Sequence, residues 1–315
     1  MKRVSILIPM YNAEAFVRET LESCVTQTYR EIEIIVVDDG SKDGSLFVAK
    51  EFESDARVKV FHTENAGACV ARNLALDKST GEYVMFLDAD NIISKNKVET
   101  QIKILERSGG ENAVVTCPWD RFYKDKVEAE FPILNVYHSY DRGIDLLLDL
   151  WTNSEMFETA CYMLSRKLAV KAGPWMPGLA KNQDGEYFAR VLLNASQVIY
   201  CPEGQVYYRS GEYNSVSKES GKSKIEALLC SFRSYKINAL AYEDSARVRE
   251  ALTRNFSLFM YLYYGRYSDL CQEAKREILD MNMKPLPSGT HRCRQISRVI
   301  GLENFLRLRK LILNR

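Results

Sequence analysis

The sequence predicts an α/β fold with a mostly parallel, doubly wound sheet and a C-terminal helical extension, on three observations. Strand-like and helix-like segments alternate strictly through the first third of the chain. The strand-like runs at 4–8, 32–37 and 83–87 are apolar nearly throughout, as strands covered on both faces are. Two of these runs stop abruptly at carboxylates, Asp38-Asp39 and Asp88-Ala89-Asp90. Ligands of open α/β sheets sit outside the carboxyl ends of the strands, so these acids stand where a site is expected.

In chain order, residues 4–8 form the first strand and Pro9-Met10-Tyr11-Asn12 the turn after it, with Asn12 as a candidate cap for a helix carrying Phe16, Leu21 and Cys24. The second strand covers 32–37, and Asp43 can cap a short helix after it. A third strand spans 58–61. A helix opens at the Gly67 turn and runs to about Ala75. Residues 83–87 form the fourth strand, and Ser94 can cap the helix through Val98, Ile102 and Leu105. A fifth strand at 113–117 leads to an aromatic patch of Trp119, Phe122 and Tyr123. A short helix at 143–151, a strand-like run at 159–165, a helix opening at 182–186 and closing strands at 198–201 and 206–208 complete this part. Beyond Gly221 the periodicity is helical throughout, broken at Gly265, Pro285 and Pro287. The expected division is a catalytic domain over 1–217 and a helical extension over 218–315.

Composition removes several function classes. The 315 residues are 46% hydrophobic and 27% charged, an ordinary globular balance. Net charge is +1, so no overall field favours nucleic acid. Eight cysteines stand singly without a Cys-x-x-Cys pair, which argues against zinc and fits a reducing compartment. The N-terminal apolar run stops at Pro9, too short for a signal sequence, and no run reaches the ~18 residues of a membrane span. The expected location is therefore cytoplasmic.

The motifs carry the chemistry. Asp88 and Asp90 offer hard oxygen ligands of the kind that hold Mg²⁺ or Mn²⁺ beside a phosphate. Asp38 and Asp39 can accept from a base imide or a ribose hydroxyl; an ordinary Asp-Gly turn is the alternative. The Gly-rich turn of a dinucleotide fold is missing after the first strand, which counts against a dehydrogenase. Asp184 stands where a helix opens, either as a plain cap or as a base.

Taken together, Ser5 to Asn12, Val36-Val37-Asp38-Asp39-Gly40-Ser41, Asn65-Ala66-Gly67, Ala71-Arg72-Asn73 and Gly81-Glu82-Tyr83 with Phe86-Leu87-Asp88-Ala89-Asp90 resemble the family 2 glycosyltransferases in order and spacing, over residues 4–217. The resemblance implies an A-type glycosyltransferase fold, a nucleotide-diphosphate sugar donor, a divalent cation and inversion at the anomeric carbon. It places Pro9, Tyr11, Asp38 and Asp39 around the nucleoside, Arg72 at the base or diphosphate, and Asp88 and Asp90 at ribose and metal. Gln183-Asp184 stands at the family's acidic-pair position, usually Glu-Asp, with only its second residue acidic here, and the resemblance implies Asp184 as the base; Glu186 is the competing carboxylate. Asn91 stands where many members have a further Asp and is not assigned as a ligand. Tyr208-Arg209 and Ser215-Val216-Ser217 resemble the closing segment, with Tyr213 the nearest ring where members often have a His.

Trp175, in a loop shortly before Asp184, is the leading candidate to stack on the acceptor sugar, ahead of Trp119, Tyr123 and Trp151. The expected reaction moves a sugar from a nucleotide-diphosphate donor, a UDP-sugar with uracil the commonest base, to a glycan or polyprenyl-linked acceptor in bacterial cell-surface polysaccharide synthesis. A sugar-phosphate nucleotidyltransferase and a non-catalytic sugar-nucleotide-binding scaffold are the alternatives. The tail over 291–315 is basic and amphipathic, with Leu302, Phe305, Leu306, Ile312 and Leu313 on one face and Arg309 falling badly among them. It reads equally as a membrane-surface helix, which would make the protein peripheral on the inner face of the cell membrane, or as a helix packed on the protein.

Overall fold

The computed structural model describes residues 1–109, 111–211 and 221–313, with the side chains of Lys126, Ile312 and Leu313 excepted. It divides into two compact units. The first comprises Met1–Leu146, Glu155–Gly178 and Arg190–Asn214; the second comprises Leu147–Ser154, Leu179–Ala189 and Ser215–Arg315.

The strands of the first unit are β1 (Val4–Met10), β2 (Ile32–Asp38), β3 (Val58–His62), β4 (Tyr83–Phe86), β5 (Ile92–Ile93), β6 (Ala113–Thr116), β7 (Trp119–Phe122), β8 (Met163–Ser165), β9 (Gln197–Tyr200) and β10 (Val206–Arg209). The helices along the same stretch of chain are α1 (Val17–Val25), α2 (Ser45–Glu51), α3 (Ala68–Lys78), α4 (Lys97–Ser108), α5 (Gly143–Asn153), α6 (Arg166–Lys171) and α7 (Gln183–Asn194), of which most of α5 and the first half of α7 belong to the second unit. The chain continues in α8 (Lys222–Tyr242), α9 (Ala246–Tyr263), α10 (Ser268–Asp280), α11 (His291–Ile300) and α12 (Leu302–Leu313).

A seven-stranded sheet runs in the order β3-β2-β1-β4-β8-β6-β9, and a smaller sheet runs β5-β10-β7. β3, β2, β1 and β4 are mutually parallel; β8 is antiparallel to both of its neighbours. The chain moves outward from β1 through β2 to β3 and then returns to β4 on the far side of β1. The order therefore reverses between β1 and β4, the crevice where such sheets bind ligands. All seven residues of β1 and of β2 are buried, which explains their unbroken apolar runs.

Pro9 has a place in this central strand because of where the ladder stops. Leu87 N donates to Leu7 O at 2.9 Å, and the next β1 group on that side would be the N–H of residue 9. Proline has none, so β4 is released after Phe86 and Leu87–Asp90 leave the sheet.

The caps fall differently from expectation. Asn12 sits at φ +48°, with Oδ1 accepting from Lys42 N at 2.8 Å, so it pins the loop after β2 instead of opening α1. Helix α4 begins at Lys97 behind Asn96 rather than at Ser94. Ser94 Oγ instead accepts from Gln205 N, tying the chain to the strand β10. Strands β5 and β7 and helix α6 add to the expected elements. The run at 159–165 is a 3-10 turn, Thr159–Cys161, followed by β8.

One buried carboxylate staples the amino ends of the central strands. Glu33, on β2, accepts from Ser5 Oγ at 2.7 Å, Thr80 N at 2.5 Å, Thr80 Oγ1 at 3.0 Å and Gly81 N at 3.0 Å. A Cβ on Gly81 would come within 2.5 Å of Ser5 Oγ, so the Gly81-Glu82-Tyr83 motif needs its glycine here. Burial alone would raise the Glu33 carboxyl, but the bonds from Ser5, Thr80 and Gly81 outweigh it and hold it below its usual value. The depressed folded value makes this stability complete above the ordinary glutamate range and lost as pH falls through the folded value. Glu33→Ala should cost about 2–4 kcal/mol, because several buried donors lose their acceptor. Urea melts read between about pH 6 and pH 3 should show a shallower acid loss in Glu33→Gln than in the parent chain.

The second unit is a helical cluster. Phe232 packs edge-on against Phe256 and Phe259 and stacks on Tyr235. Arg233 pairs with Glu273 and Glu277, and Lys236 with Glu277, which tie α8 to α10. Among the described residues no helix is long and apolar enough to cross a membrane.

Candidate active site

The register of the parallel strands assembles the site. Met10 pairs with Asp38 and Leu7 with Phe86, so the chains leaving β1, β2 and β4 emerge along one edge. Three loops there carry Tyr11, Asp38-Asp39 and Asp88–Asp90.

Asp38 is fully buried; its Oδ2 lies 2.7 Å from His62 Nδ1 at the end of β3. Asp39 organises the loop before α3. Its Oδ1 accepts from Ala66 N at 2.8 Å, and its Oδ2 from Gly67 N at 2.9 Å and Asn65 Nδ2 at 3.2 Å. A carboxylate has about four acceptor positions, and this loop takes three of them. Gly40, at φ +73°, passes so close to Asn65 N that a Cβ would stand 2.8 Å away. The Asp-Gly turn and the site are thus one structure. Pro9 is buried in β1, whereas Tyr11 is 47% exposed and free to meet a ligand with its ring.

Arg72, on α3, is buried and donates from Nη2 to Asp88 Oδ1 at 2.7 Å. Its guanidinium lies 4.6 Å from the centre of the Trp175 ring. Trp175 is completely buried, edge-on to Phe86, with its backbone N–H and C=O both held by the Asn73 side chain. This corrects the expectation that Trp175 stacks on an acceptor sugar. A ring buried under Arg72 and against Phe86 presents no free face; it supports the arginine that reaches Asp88.

The turn carrying Asp88 and Asp90 is held from several directions. Thr20 Oγ1 donates to Ala89 O at 2.9 Å, and Arg209 Nε donates to Asp90 O at 2.9 Å. Arg209 also pairs with Glu19 and lies over the ring of Phe122 at 4.5 Å. Burial and the adjacent Asp88 charge push the Asp90 carboxyl up to about 6, with Arg209 opposing them. Burial, then the charges of Asp90 and Asp88, likewise raise the Tyr208 phenol. Tyr208 packs edge-on against Trp119, and the Arg121 guanidinium lies within 6 Å of both rings.

Asn91 has a role of its own. It is fully buried, donates from Nδ2 to Glu158 Oε1 at 3.0 Å, and accepts at Oδ1 from Arg209 N at 3.0 Å. An aspartate cannot donate to Glu158, so the buried glutamate explains the asparagine. Asn91→Asp should cost about 2–4 kcal/mol by setting two buried carboxylates against each other. Adding Glu158→Gln should recover much of that loss, a coupling that a double-mutant cycle of melting curves would read.

The donor set fits a hard dication. Two carboxylates stand side by side, one raised in part by the charge of the other, and Mg²⁺ or Mn²⁺ takes one or two carboxylates and completes its shell with phosphate. Among the described residues no cluster of three or more His, Cys, Asp or Glu could hold a metal.

Asp184 belongs to the second unit, in the first turn of α7 and half-buried. Asn182, at φ +59°, precedes it and donates from Nδ2 to Tyr235 Oη at 2.7 Å and Ser231 Oγ at 2.8 Å. A Cβ on Gly185 would run into Asn182 and the Tyr235 hydroxyl, so α8 closes tightly on this turn. Glu186 is buried and accepts from Ser234 Oγ at 2.7 Å. That bond gives the competing carboxylate a packing role. Tyr213 and the segment Ser215-Val216-Ser217 lie outside the described residues.

Four contributors were not singled out from sequence: His62, Glu158, Arg209 as the clamp on Asp90, and Arg121. Of these, Arg209 carried a signal, next to Tyr208 in the closing segment. A cavity of about 520 Å³ beside α1 is lined by Glu19, Ser23, Ile93, Phe122, Lys124 and Tyr207 among others, and by none of the expected site residues.

The model of the family described as Glycosyl transferase family 2 matches residues 5–172. An uncharacterized glycosyltransferase of Haemophilus influenzae is 30% identical over 76% of this chain and 92% of its own length. Glycosyltransferase GlyA of Streptococcus pneumoniae is 45% identical over 66% of this chain, which spans 30% of that protein. Among solved structures, TarS residues 1–349 of S. aureus in complex with UDP-GlcNAc superposes with a TM-score of 0.73 at 18% identity, covering 97% of this chain and 90% of that one.

Proposed function

From the premise that this chain belongs to glycosyl transferase family 2, we propose that it is an inverting, metal-assisted transferase that moves a sugar from a UDP-sugar to a hydroxyl of a glycan or lipid-linked acceptor. The observation that carries the reading is the carboxylate pair Asp88 and Asp90 at the β1–β4 switch point, flanked by Asp38-Asp39 and Arg72. The S. aureus neighbours are described with UDP-GlcNAc and with UDP, which supports uracil as the base.

In this reading Asp39 uses its remaining acceptor position for the base, and Tyr11 stacks on it. Arg72 and Trp175 hold Asp88 in place for the ribose side of the donor. A Mg²⁺ or Mn²⁺ held by Asp90 and Asp88 would neutralise charge developing on the leaving diphosphate. Asp184 accepts the proton of the acceptor hydroxyl as its oxygen bonds to the anomeric carbon and the bond to the diphosphate oxygen breaks. The positive end of α7 favours the ionised carboxylate that a base requires. The role we assign is bacterial cell-surface polysaccharide synthesis, with the enzyme working on the cytoplasmic side.

A thermal-shift panel of UDP, GDP, ADP and UDP-sugars with Mn²⁺, Mg²⁺ or EDTA tests the donor. UDP compounds should raise the melting temperature and EDTA should remove most of the gain. Equal shifts with all three nucleotides, unaffected by EDTA, would sink the donor assignment.

A further inference from the structure

Helix α11 carries its apolar side chains on the wrong side for a helix that merely packs on its own unit. Ser297, its most buried residue, faces inward, whereas Ile296 is 49% and Val299 85% exposed. On α12, Leu302, Phe305 and Leu306 are buried, and Leu308 and Leu311 are exposed at 50% and 68%. Arg309 falls on the inward side and is absorbed there: Nη1 donates to Tyr261 O at 2.9 Å and the guanidinium lies 4.4 Å from that ring. Packing therefore accounts for one face of the tail and leaves two aliphatic pairs, each spaced i, i+3, uncovered.

The charge around those pairs is of one sign. The acid of α11 and α12, Glu303, is paired with Lys275 at 2.8 Å. Arg292, Arg294, Arg298, Arg307 and Lys310 make no side-chain ion pair among the described residues. Arg292 stands four and seven residues before Ile296 and Val299, on the same side of α11; Arg307 stands four before Leu311 on α12. Exposed aliphatics bordered by unneutralised cations match a bilayer surface. The aliphatic groups enter the boundary of the acyl chains, while the cations meet anionic headgroups.

We propose that the outward face of α11 and α12 docks the protein on a membrane surface bearing anionic lipid. The surface is separate from the transfer chemistry, so either reading can fail without the other.

The test is flotation of the full chain with vesicles of phosphatidylcholine alone or mixed with phosphatidylglycerol, at low and high salt. The chain should float with the mixed vesicles, at least about tenfold less with the neutral ones, and less as salt rises. Ile296→Ser/Val299→Ser/Leu308→Ser/Leu311→Ser should lose flotation while keeping the parent circular-dichroism spectrum and UDP-dependent thermal shift. Arg292→Glu/Arg298→Glu/Arg307→Glu, with the aliphatic groups intact, should lose it too. Failure of the parent chain to float with either vesicle, or undiminished flotation of a folded serine variant, overturns the proposal. So does a self-association that the serine changes abolish while no vesicle is bound, since that outcome assigns the face to a second copy of the chain.

Discussion

Asp90→Asn is expected to lower kcat/KM for sugar transfer by about 10²–10³, or roughly 2.7–4 kcal/mol of transition-state stabilisation. The expected size follows from how completely the surroundings dedicate this side chain. Its backbone carbonyl is held by Arg209, the preceding carbonyl by Thr20, and the next residue by Glu158 and Arg209. The turn should therefore keep its shape when the carboxylate becomes an amide. Burial and Asp88 already oppose the charge on Asp90, so the substitution should leave the melting temperature unchanged or raise it. A kinetic comparison beside melting curves checks this: activity falls while stability does not. Loss of both together would mean that Asp90 serves the fold rather than the reaction.

Asp184→Asn should lower kcat by about 10²–10⁴, the usual contribution of a positioned base. Its effect should separate cleanly from that of Asp90. Asp184 lies in the second unit, and Asp38, Asp39, Arg72, Asp88 and Asp90 lie in the first. Binding of UDP with Mn²⁺ should therefore stay at the parent value in Asp184→Asn and weaken in Asp90→Asn. The local frame supports an isosteric change, because Asn182 and Glu186 bond this turn to Tyr235, Ser231 and Ser234 and Gly185 packs closely there. Glu186→Ala supplies the control. It leaves the Ser234 hydroxyl without its acceptor, so it should lower stability more than kcat.

Strands β1, β2 and β4 were legible because buried strands read as unbroken apolar runs, and the ends of β2 and β4 were marked by acids; β3, partly exposed at the sheet edge, carries a weaker signal. The same signal is silent for β5, which is two residues long, and for β7, whose Trp119 and Phe122 read with Tyr123 as an aromatic patch. Caps misplaced themselves because Asn12 and Ser94 had better partners across the fold than along the chain. The motif acids were legible as a set, yet their supports were not. Asn91 meets Glu158 across 67 residues and Arg209 across 118, and no local pattern announces either pairing. Trp175 was misread for a related reason: a loop tryptophan between prolines suggests exposure, and its burial comes from Arg72, Asn73 and Phe86, all distant in sequence.

The most direct test of the central claim is a titration of Mn²⁺ followed by electron paramagnetic resonance, with and without UDP, in the parent chain and in Asp90→Asn. The parent should take up Mn²⁺ weakly alone and far more tightly with UDP, because the protein provides two carboxylates and the diphosphate the remaining ligands. In Asp90→Asn most of that UDP-dependent uptake should vanish. Uptake of equal strength in both proteins would contradict the account and place the cation, if the enzyme uses one, away from Asp88 and Asp90.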